Sequence, residues 1–356
     1  MSTTVDLADH FQGRRVAVVG GAGFVGSNLV ARLADLGAAP VVVVDNLLSS
    51  ERENIPEHDA VQLVEGSITD DDVLAKLPSD LDTVFHLATF HGNQNSMADP
   101  IADHDNNTFT TLKLLEHLRT LPALPRVVYS SAGCTVAQKT FDAAEATTED
   151  DPVSLHLDSP YQVSKIIGEL YGNWYHSRFG IDFVKARFQN VYGPGEVLGA
   201  GQWRGTPATV WRNVTPTFVY RAIKGEALPV ENGGIATRDF IYVDDIVDGL
   251  LRCAALGEPN GVYNLAAGVE TSILELAETI NELTGNTAGV ELQPARDWDH
   301  SGKRYGSTEK AEREIGFRTT VALRDGLERT VAWTKANLDR IEGCIDRHRA
   351  SLDGLA

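Results

Sequence analysis

Seven short apolar runs punctuate the chain: Val16–Val19, Val41–Asp45, Val61–Val64, Thr83–Leu87, Val127–Ser130, Phe183–Arg187 and Val262–Leu265. Most are unbroken Val, Ile and Leu stretches. A strand with one face in water alternates apolar and polar residues, whereas a strand covered on both faces has no polar side to show. The runs therefore predict parallel strands in the middle of a layered fold. Amphipathic segments lie between them, among them Gly26–Gly37, Thr108–Arg119 and Pro160–Phe179. This strand–helix order predicts an α/β protein, a doubly wound parallel sheet of about seven strands with right-handed crossovers.

The texture changes after Asn190. Gly193 to Gly205 is rich in Gly and Pro, and the alternation breaks. Strand–helix texture resumes over Phe240–Leu251 and at Val262–Leu265, then breaks again. The expected organisation is a sheet domain over 1–190, to which 236–267 return, and a smaller interleaved lobe built from 191–235 and 268–356. In an open α/β sheet, ligands bind beyond the carboxyl ends of the strands, so the site is expected between the two parts.

With 356 residues, 42% hydrophobic and 23% charged, the chain has the composition of a folded globular protein and not of a disordered one. Its 50 acidic against 31 basic residues leave a formal charge of −19, which disfavours nucleic acid and anionic membrane as partners. Cys134, Cys253 and Cys344 make no paired spacing for a disulfide framework or a zinc site. His86 and His91 are five apart with no third ligand in register, so no metal is expected. No early apolar segment reads as a signal, and no run of eighteen apolar residues reads as a membrane span. A cytoplasmic protein is the expectation.

Candidate chemistry lies in two places. Gly20-Gly21-Ala22-Gly23-Phe24-Val25-Gly26 joins the first strand to the first helix. Small residues there let backbone approach a pyrophosphate, and the helix N-terminus supplies free N–H groups and a positive dipole end. Asp45 ends the second strand, where a carboxylate accepts from ribose hydroxyls and repels a 2′-phosphate; this favours NAD over NADP. The second place is Tyr161-Gln162-Val163-Ser164-Lys165 at the start of a helical segment. A four-residue spacing puts the phenol and the ammonium on one face. A nearby cation favours phenolate, which suits Tyr161 for proton transfer at a substrate hydroxyl.

These landmarks resemble the extended short-chain dehydrogenases/reductases of the nucleotide-sugar epimerase/dehydratase group. The resemblance runs over about residues 14–335. It rests on GGAGFVG (20–26), DNLLSS (45–50), HLATFHGNQNSMADP (86–100), NTFTTLKLLE (107–116), YSSAGCTVA (129–137), YQVSK (161–165), RFQNVYGPG (187–195), RDFIYVDD (238–245) and Arg296-Asp297, in that order. It implies a Rossmann fold with bound NAD. Gly20, Gly23, Phe24, Val25 and Gly26 would hold the pyrophosphate, and Asp45 and Asn46 the adenosine ribose. Ser67 and Ile68 would lie at the adenine, with Ser67 where the family usually has Asp. Leu87, Ala88, Asn107 and Gln189 would line the cofactor beside Tyr161 and Lys165. His91 stands where UDP-galactose 4-epimerases carry a cofactor-contacting Lys, a departure in this chain.

On the substrate side, Asn190, Arg238 and Arg296 match residues that hold the nucleoside diphosphate, of UDP or GDP type. The planar fork of Arg suits phosphate oxygens. A plainer role for Arg238 is pairing with Asp239 or Asp244. Trp203 and Trp211 could stack on a base or pack in the core. The third catalytic group, a hydroxyl on the sugar's reacting oxygen, falls to Ser131 or Thr135. Cys134 and the segment 201–208 also resemble GDP-mannose 3,5-epimerase, whose loop cysteine is an acid/base. No acidic residue lies between Ser130 and Gln138, which counts against dehydratase and decarboxylase chemistry. The expected activity is 4-epimerisation through a transient 4-keto sugar, in a homodimer joined through the 108–119 and 160–179 helices. The alternatives are 3,5-epimerisation or elimination through Cys134, and a non-catalytic dinucleotide sensor, which would not need the Tyr161–Lys165 pair.

Overall fold

The valine-rich runs assemble side by side. In the computed structural model, which describes residues 6–133, 140–296 and 302–354, they form β1 (Val16–Val19), β2 (Val41–Asp45), β3 (Val61–Glu65), β4 (Thr83–His86), β5 (Arg126–Ala132), β6 (Phe183–Phe188) and β7 (Val262–Leu265). The sheet order is β3-β2-β1-β4-β5-β6-β7, with every pairing parallel. Val16 lies opposite Val41 on one side and Thr83 on the other. This is the expected seven-stranded Rossmann sheet.

The unbroken apolar runs have their explanation here. Val16, Val18, Val41 and Val43 point into one core, with Leu29, Leu33, Ile246 and Leu250. Ala17, Val19, Val42 and Val44 point into another, with Leu114, Leu118 and Tyr175. The helices that cover the two faces include α1 (Phe24–Asp35), α2 (Thr110–Leu118), α3 (Pro160–Phe179), and α5 (Val243–Leu256), which packs on α1. Between α3 and α5 in the chain lies α4 (Val214–Ile223), and α6 (Ile273–Thr284) and α7 (Leu323–Ala336) follow. These three helices and the paired segments Leu228–Glu231 and Val290–Gln293 enclose a separate core around Phe218, Val230, Leu276 and Leu327. A fourth cluster joins Val197, Leu198 and Val210 to Ile341 and Ile345 of α8 (Leu338–Asp346). Among the described residues, no helix is long and apolar enough to cross a membrane. Cys253 and Cys344 are buried free thiols, and Cys134 lies outside the described residues.

Helix boundaries depart from the sequence pattern at informative places. The first helix starts at Phe24, because Gly23 adopts the extended N-cap conformation. It ends before Gly37, whose φ of +79° closes the last turn. The segment expected as helix over 108–119 is α-helical only from Thr110; a π-helical turn spans His104–Phe109. Such wide turns mark functional positions in many folds. The third helix keeps its expected limits, with Ser159 capping the N–H of Gln162 and Gly180 closing the other end at φ +78°.

Gly168 and Gly172 let α3 lie against the sheet. A Cβ on Gly172 would stand 2.1 Å from the ring of Phe183, and one on Gly168 would stand 2.2 Å from the Tyr129 hydroxyl. Overpacking of this kind costs about 1–3 kcal/mol. Gly172→Ala should therefore lower the urea unfolding midpoint with an unchanged slope, although alanine is the better helix former.

Candidate active site

The carboxyl ends of the strands open into a cavity of about 700 Å³ that continues between the sheet and the smaller lobe. At its sheet end, the chain leaves β1 through Gly20 at φ +84°. A side chain there would strike the backbone of Ala88, 2.5 Å from its nitrogen. A Cβ on Gly26 would stand 2.1 Å from the Gly20 carbonyl oxygen. These glycines are demanded by contact between backbones. Gly20, Gly23, Phe24, Val25 and Gly26 all line the cavity, and the first N–H groups of α1 have no partner within the helix.

Asp45 is buried at the tip of β2. Its carboxylate accepts from the N–H of Ala22 (2.9 Å), the N–H of Leu47 (2.9 Å) and the Ser50 hydroxyl (2.9 Å). Burial raises its pKa, and those three donors oppose the shift by stabilising the charged form. Asp45 thus ties the loop after β2 to the glycine loop and still presents carboxylate to the cavity. Asn46, Ser67, Ile68, Leu87 and Ala88 line the same stretch. The acceptor at Asp45 and a backbone cradle closed to side chains fit an NAD adenosine and pyrophosphate.

Asn107 does not line the cavity. Its side chain accepts from the N–H of Phe90 (2.8 Å) and the Thr89 hydroxyl (3.0 Å), and donates to Asp103 (2.7 Å) and to the carbonyl of Phe90 (3.3 Å). It fixes the loop after β4, and the π-helical turn places it there. Its place is behind the cofactor wall that it positions. Gln189 is in the wall, packed against Gly133 and Gly306.

Tyr161 and Lys165 both line the cavity from the first turns of α3. Lys165 is 2% exposed; its ammonium donates to the Ser130 carbonyl (2.8 Å) and lies 5.8 Å from the centre of the Tyr161 ring. The His91 ring lies 6.0 Å from the Tyr161 ring. Burial, with the cations of Arg204, Arg212 and Lys165, pushes His91 down to about 3, so its imidazole is neutral at working pH. His86 is buried beneath the site against Thr111 and is likewise neutral, pushed to about 3 by burial and Lys165. Among the described residues, no group of three potential ligands could hold a metal ion.

Ser131 and Thr135 part company. The Ser131 hydroxyl donates to Glu169 at 2.5 Å. Glu169 in turn holds Arg187 bidentately, at 2.9 and 2.8 Å, in a buried ion pair. Ser131 itself lines the cavity, with its single hydroxyl proton held by Glu169. Thr135, like Cys134, lies outside the described residues.

At the far end, Asn190, Arg238 and Arg296 line the cavity. Arg238 is buried and donates to the carbonyls of Thr237 and Gly302, both at 2.7 Å. The Asp239 carboxylate is held by the N–H groups of Ala267, Gly268 and Gly306. Arg296 pairs with Glu231 at 2.5 Å. The sequence pattern missed Arg212, Arg221, Arg304 and Glu196, which also line the cavity. Arg221 lies over the ring of Trp211, 5.5 Å from its centre. Trp211 lines the cavity, and Trp203 packs with the fourth cluster. The only local signal was the unusual 201–212 segment, which carries two arginines and two tryptophans.

Comparison with known proteins agrees with this geometry. Residues 16–266 match the model of the NAD dependent epimerase/dehydratase family. A UDP-glucose 4-epimerase of Mycolicibacterium smegmatis is 33% identical over 321 residues, covering 89% of this chain and 97% of that protein. UDP-glucuronic acid decarboxylase 3 of Arabidopsis thaliana is 28% identical over 316 residues, covering 88% and 86%. The crystal structure of the Bordetella bronchiseptica enzyme WbmF in complex with NAD+ and UDP superposes with a TM-score of 0.88 at 58% identity, covering 97% of this chain and 99% of that one. With a glycine loop, a buried aspartate at the tip of β2 and a tyrosine–lysine pair around one cavity, this chain belongs to the NAD dependent epimerase/dehydratase family and is an NAD-dependent enzyme of nucleotide-sugar chemistry.

Proposed function

We propose that the chain is a nucleotide-sugar 4-epimerase that works through a transient 4-keto sugar. The observation that carries the reading is the place of Tyr161. It stands in the wall of the same cavity that the glycine loop and the arginines line, with the Lys165 ammonium 5.8 Å from its ring centre. Residues 1–190 with 236–267 would hold the cofactor, and 191–235 with 268–356 the substrate. Bound NAD supplies a hydride acceptor that later returns the hydride. The chain's own part is proton transfer and positioning. Tyr161, as phenolate, takes the proton of the sugar's 4-hydroxyl and gives it back after the keto sugar has turned. The Lys165 ammonium favours the phenolate. His91, neutral, adds no competing charge beside the phenol.

Asn190, Arg238 and Arg296 would hold the diphosphate and nucleoside. The neighbour that binds UDP supports a uridine nucleotide. The hydroxyl on the reacting oxygen is assigned to Thr135, because the Ser131 proton is committed to Glu169. The lack of an acidic residue between Ser130 and Gln138 argues against water loss as the outcome.

The assembly proposed is a homodimer. Leu170 and Trp174 of α3 are 60% and 52% exposed, and with Leu112 and Ile167 they edge a shallow apolar groove shared by α2 and α3. A second copy of the same helix pair would cover it.

Three measurements test these readings. Tyr161→Phe should lower kcat on the nucleotide sugar by about 10²- to 10⁴-fold while NAD+ binding persists; turnover near the wild-type rate would exclude the mechanism. Thr135→Ala should lower kcat more than Ser131→Ala, whereas Ser131→Ala should lower Tm, since it strips a buried carboxylate of a donor. Trp174→Glu should convert a dimer to a monomer in sedimentation velocity with the fold retained by circular dichroism.

A further inference from the structure

The cavity's cations fall into two sets. Among the described residues, six lysine and arginine side chains line it: Lys165, Arg212, Arg221, Arg238, Arg296 and Arg304. Lys165 stands with Tyr161. Arg238, Arg296 and Arg304 belong to the substrate end, and Arg221 lies on Trp211. Arg212 differs from all of these. It comes from the smaller lobe, yet its guanidinium donates to the Ser49 carbonyl at 3.0 Å, in the loop that follows Asp45. Its other terminal nitrogen donates to the Ala200 carbonyl at 2.7 Å, and its Nε has no partner.

Arg204 stands behind it. This side chain is 5% exposed and donates to the Ser49 hydroxyl at 3.0 Å; its Nε and one terminal nitrogen have no partner. Neither guanidinium forms an ion pair with a described residue. Burial, together with the charge of Arg212, pushes Arg204 down to about 9. Glu196, a nearby carboxyl, is engaged with the Asn213 amide, and burial pushes it up to about 7. Arg204 is buried and Arg212 half-buried, and the carboxyls nearest to them are engaged elsewhere, Glu196 by Asn213 and Glu51 by Arg347 and the N–H of Gly201; an anion that joins the two guanidinium groups is therefore favourable.

The surroundings of Ser49 say which anion. Asp45 binds the glycine loop through Ala22 N, and Asn54 binds it through the Ala22 carbonyl (2.8 Å). Ser49 lies between these two anchors, so its loop is held against the glycine loop. That loop is where a dinucleotide's pyrophosphate sits. It offers N–H groups and a helix dipole, but among the described residues the sheet domain brings no fixed cation to it other than Lys165 at the tyrosine.

We propose that Arg212, backed by Arg204, binds the cofactor's pyrophosphate from across the cavity. The substrate lobe thus supplies a cation for the dinucleotide as well as Arg296 for the sugar nucleotide. Arg212 then doubles as a link: it already ties the 196–213 segment that lines the sugar site to the loop after β2 through Ser49, and the dinucleotide would join the same guanidinium. The C-terminal helix α8 strengthens the same link, since Arg347 pairs with Glu51, which accepts from the N–H of Gly201 at 2.8 Å. This proposal rests on the dinucleotide lying over the glycine loop.

The test uses the full chain stripped of nucleotide, with calorimetric titration of two probes. ADP-ribose carries the adenosine and pyrophosphate without the nicotinamide, and UDP reports the substrate end. Arg212→Met should weaken ADP-ribose binding roughly ten- to a hundredfold and leave UDP binding unchanged, and Arg212→Lys should recover much of the loss. Unchanged ADP-ribose affinity, or a loss confined to UDP, would overturn the assignment. Should Arg212→Met fail to fold, arginine-selective labelling of the wild-type chain with phenylglyoxal decides: ADP-ribose must protect Arg212 and UDP must not, and the reverse pattern sinks the proposal. A wild-type chain that binds no ADP-ribose would instead refute the position of the cofactor, a different failure from an inert Arg212.

Discussion

The cavity depends on how closely three pieces of backbone approach one another at the tip of β1. Gly20 meets Ala88 at the end of β4, and Gly26 of α1 meets Gly20. Any Cβ at either position would push α1 away from the sheet. The groove over the glycine loop would then lose its floor, and the N–H groups of the first turn would be misplaced. The closeness is possible because β1 and β4 are neighbours in a parallel sheet, so their carboxyl ends stop at the same level. Helices bury that sheet on both faces, and Asp45 locks the next strand tip to the same turn.

Charge is distributed with equal economy. The whole chain is strongly acidic, yet the cavity wall concentrates arginines that face an anionic cofactor and an anionic substrate. Within this net-negative chain, low-dielectric walls make each local guanidinium count for more. Histidines 86 and 91 stay neutral in this setting because they are buried beside fixed cations. They shape the site without adding charge of their own.

The carboxylate–arginine pair of Glu169 and Arg187 shows how structure separates look-alike residues. Ser130 and Ser131 are adjacent on β5, so their side chains point to opposite faces of the sheet. Ser130 meets Lys165 through its carbonyl and lies at the catalytic helix, whereas Ser131 turns its proton to Glu169. Both line the cavity; Ser130 contacts Lys165 beside Tyr161, and Ser131 also donates to a buried ion pair that braces β5, β6 and α3.

The sheet, the glycine loop, the aspartate at the tip of β2 and the tyrosine–lysine pair were legible in the sequence. Each is local: apolar runs report burial on both faces, and the loop and the helix motif act over a few consecutive residues. Only the tertiary structure decided roles that depend on distant partners. Asn107 reads as a cofactor ligand in its motif, but a π-helical turn aims it at Phe90. Ser131 reads as a catalytic hydroxyl in its motif, and nothing in that motif announces its bond to Glu169, a full helix away in the chain. Arg212 lies outside every motif quoted, and Arg204 sits in a segment whose resemblance assigned it no role; they matter because the fold brings residue 212 to Ser49 across more than 160 residues of chain. A side chain's partner is set by three-dimensional proximity, and linear spacing encodes that proximity only within a turn of helix or a pair of strand neighbours.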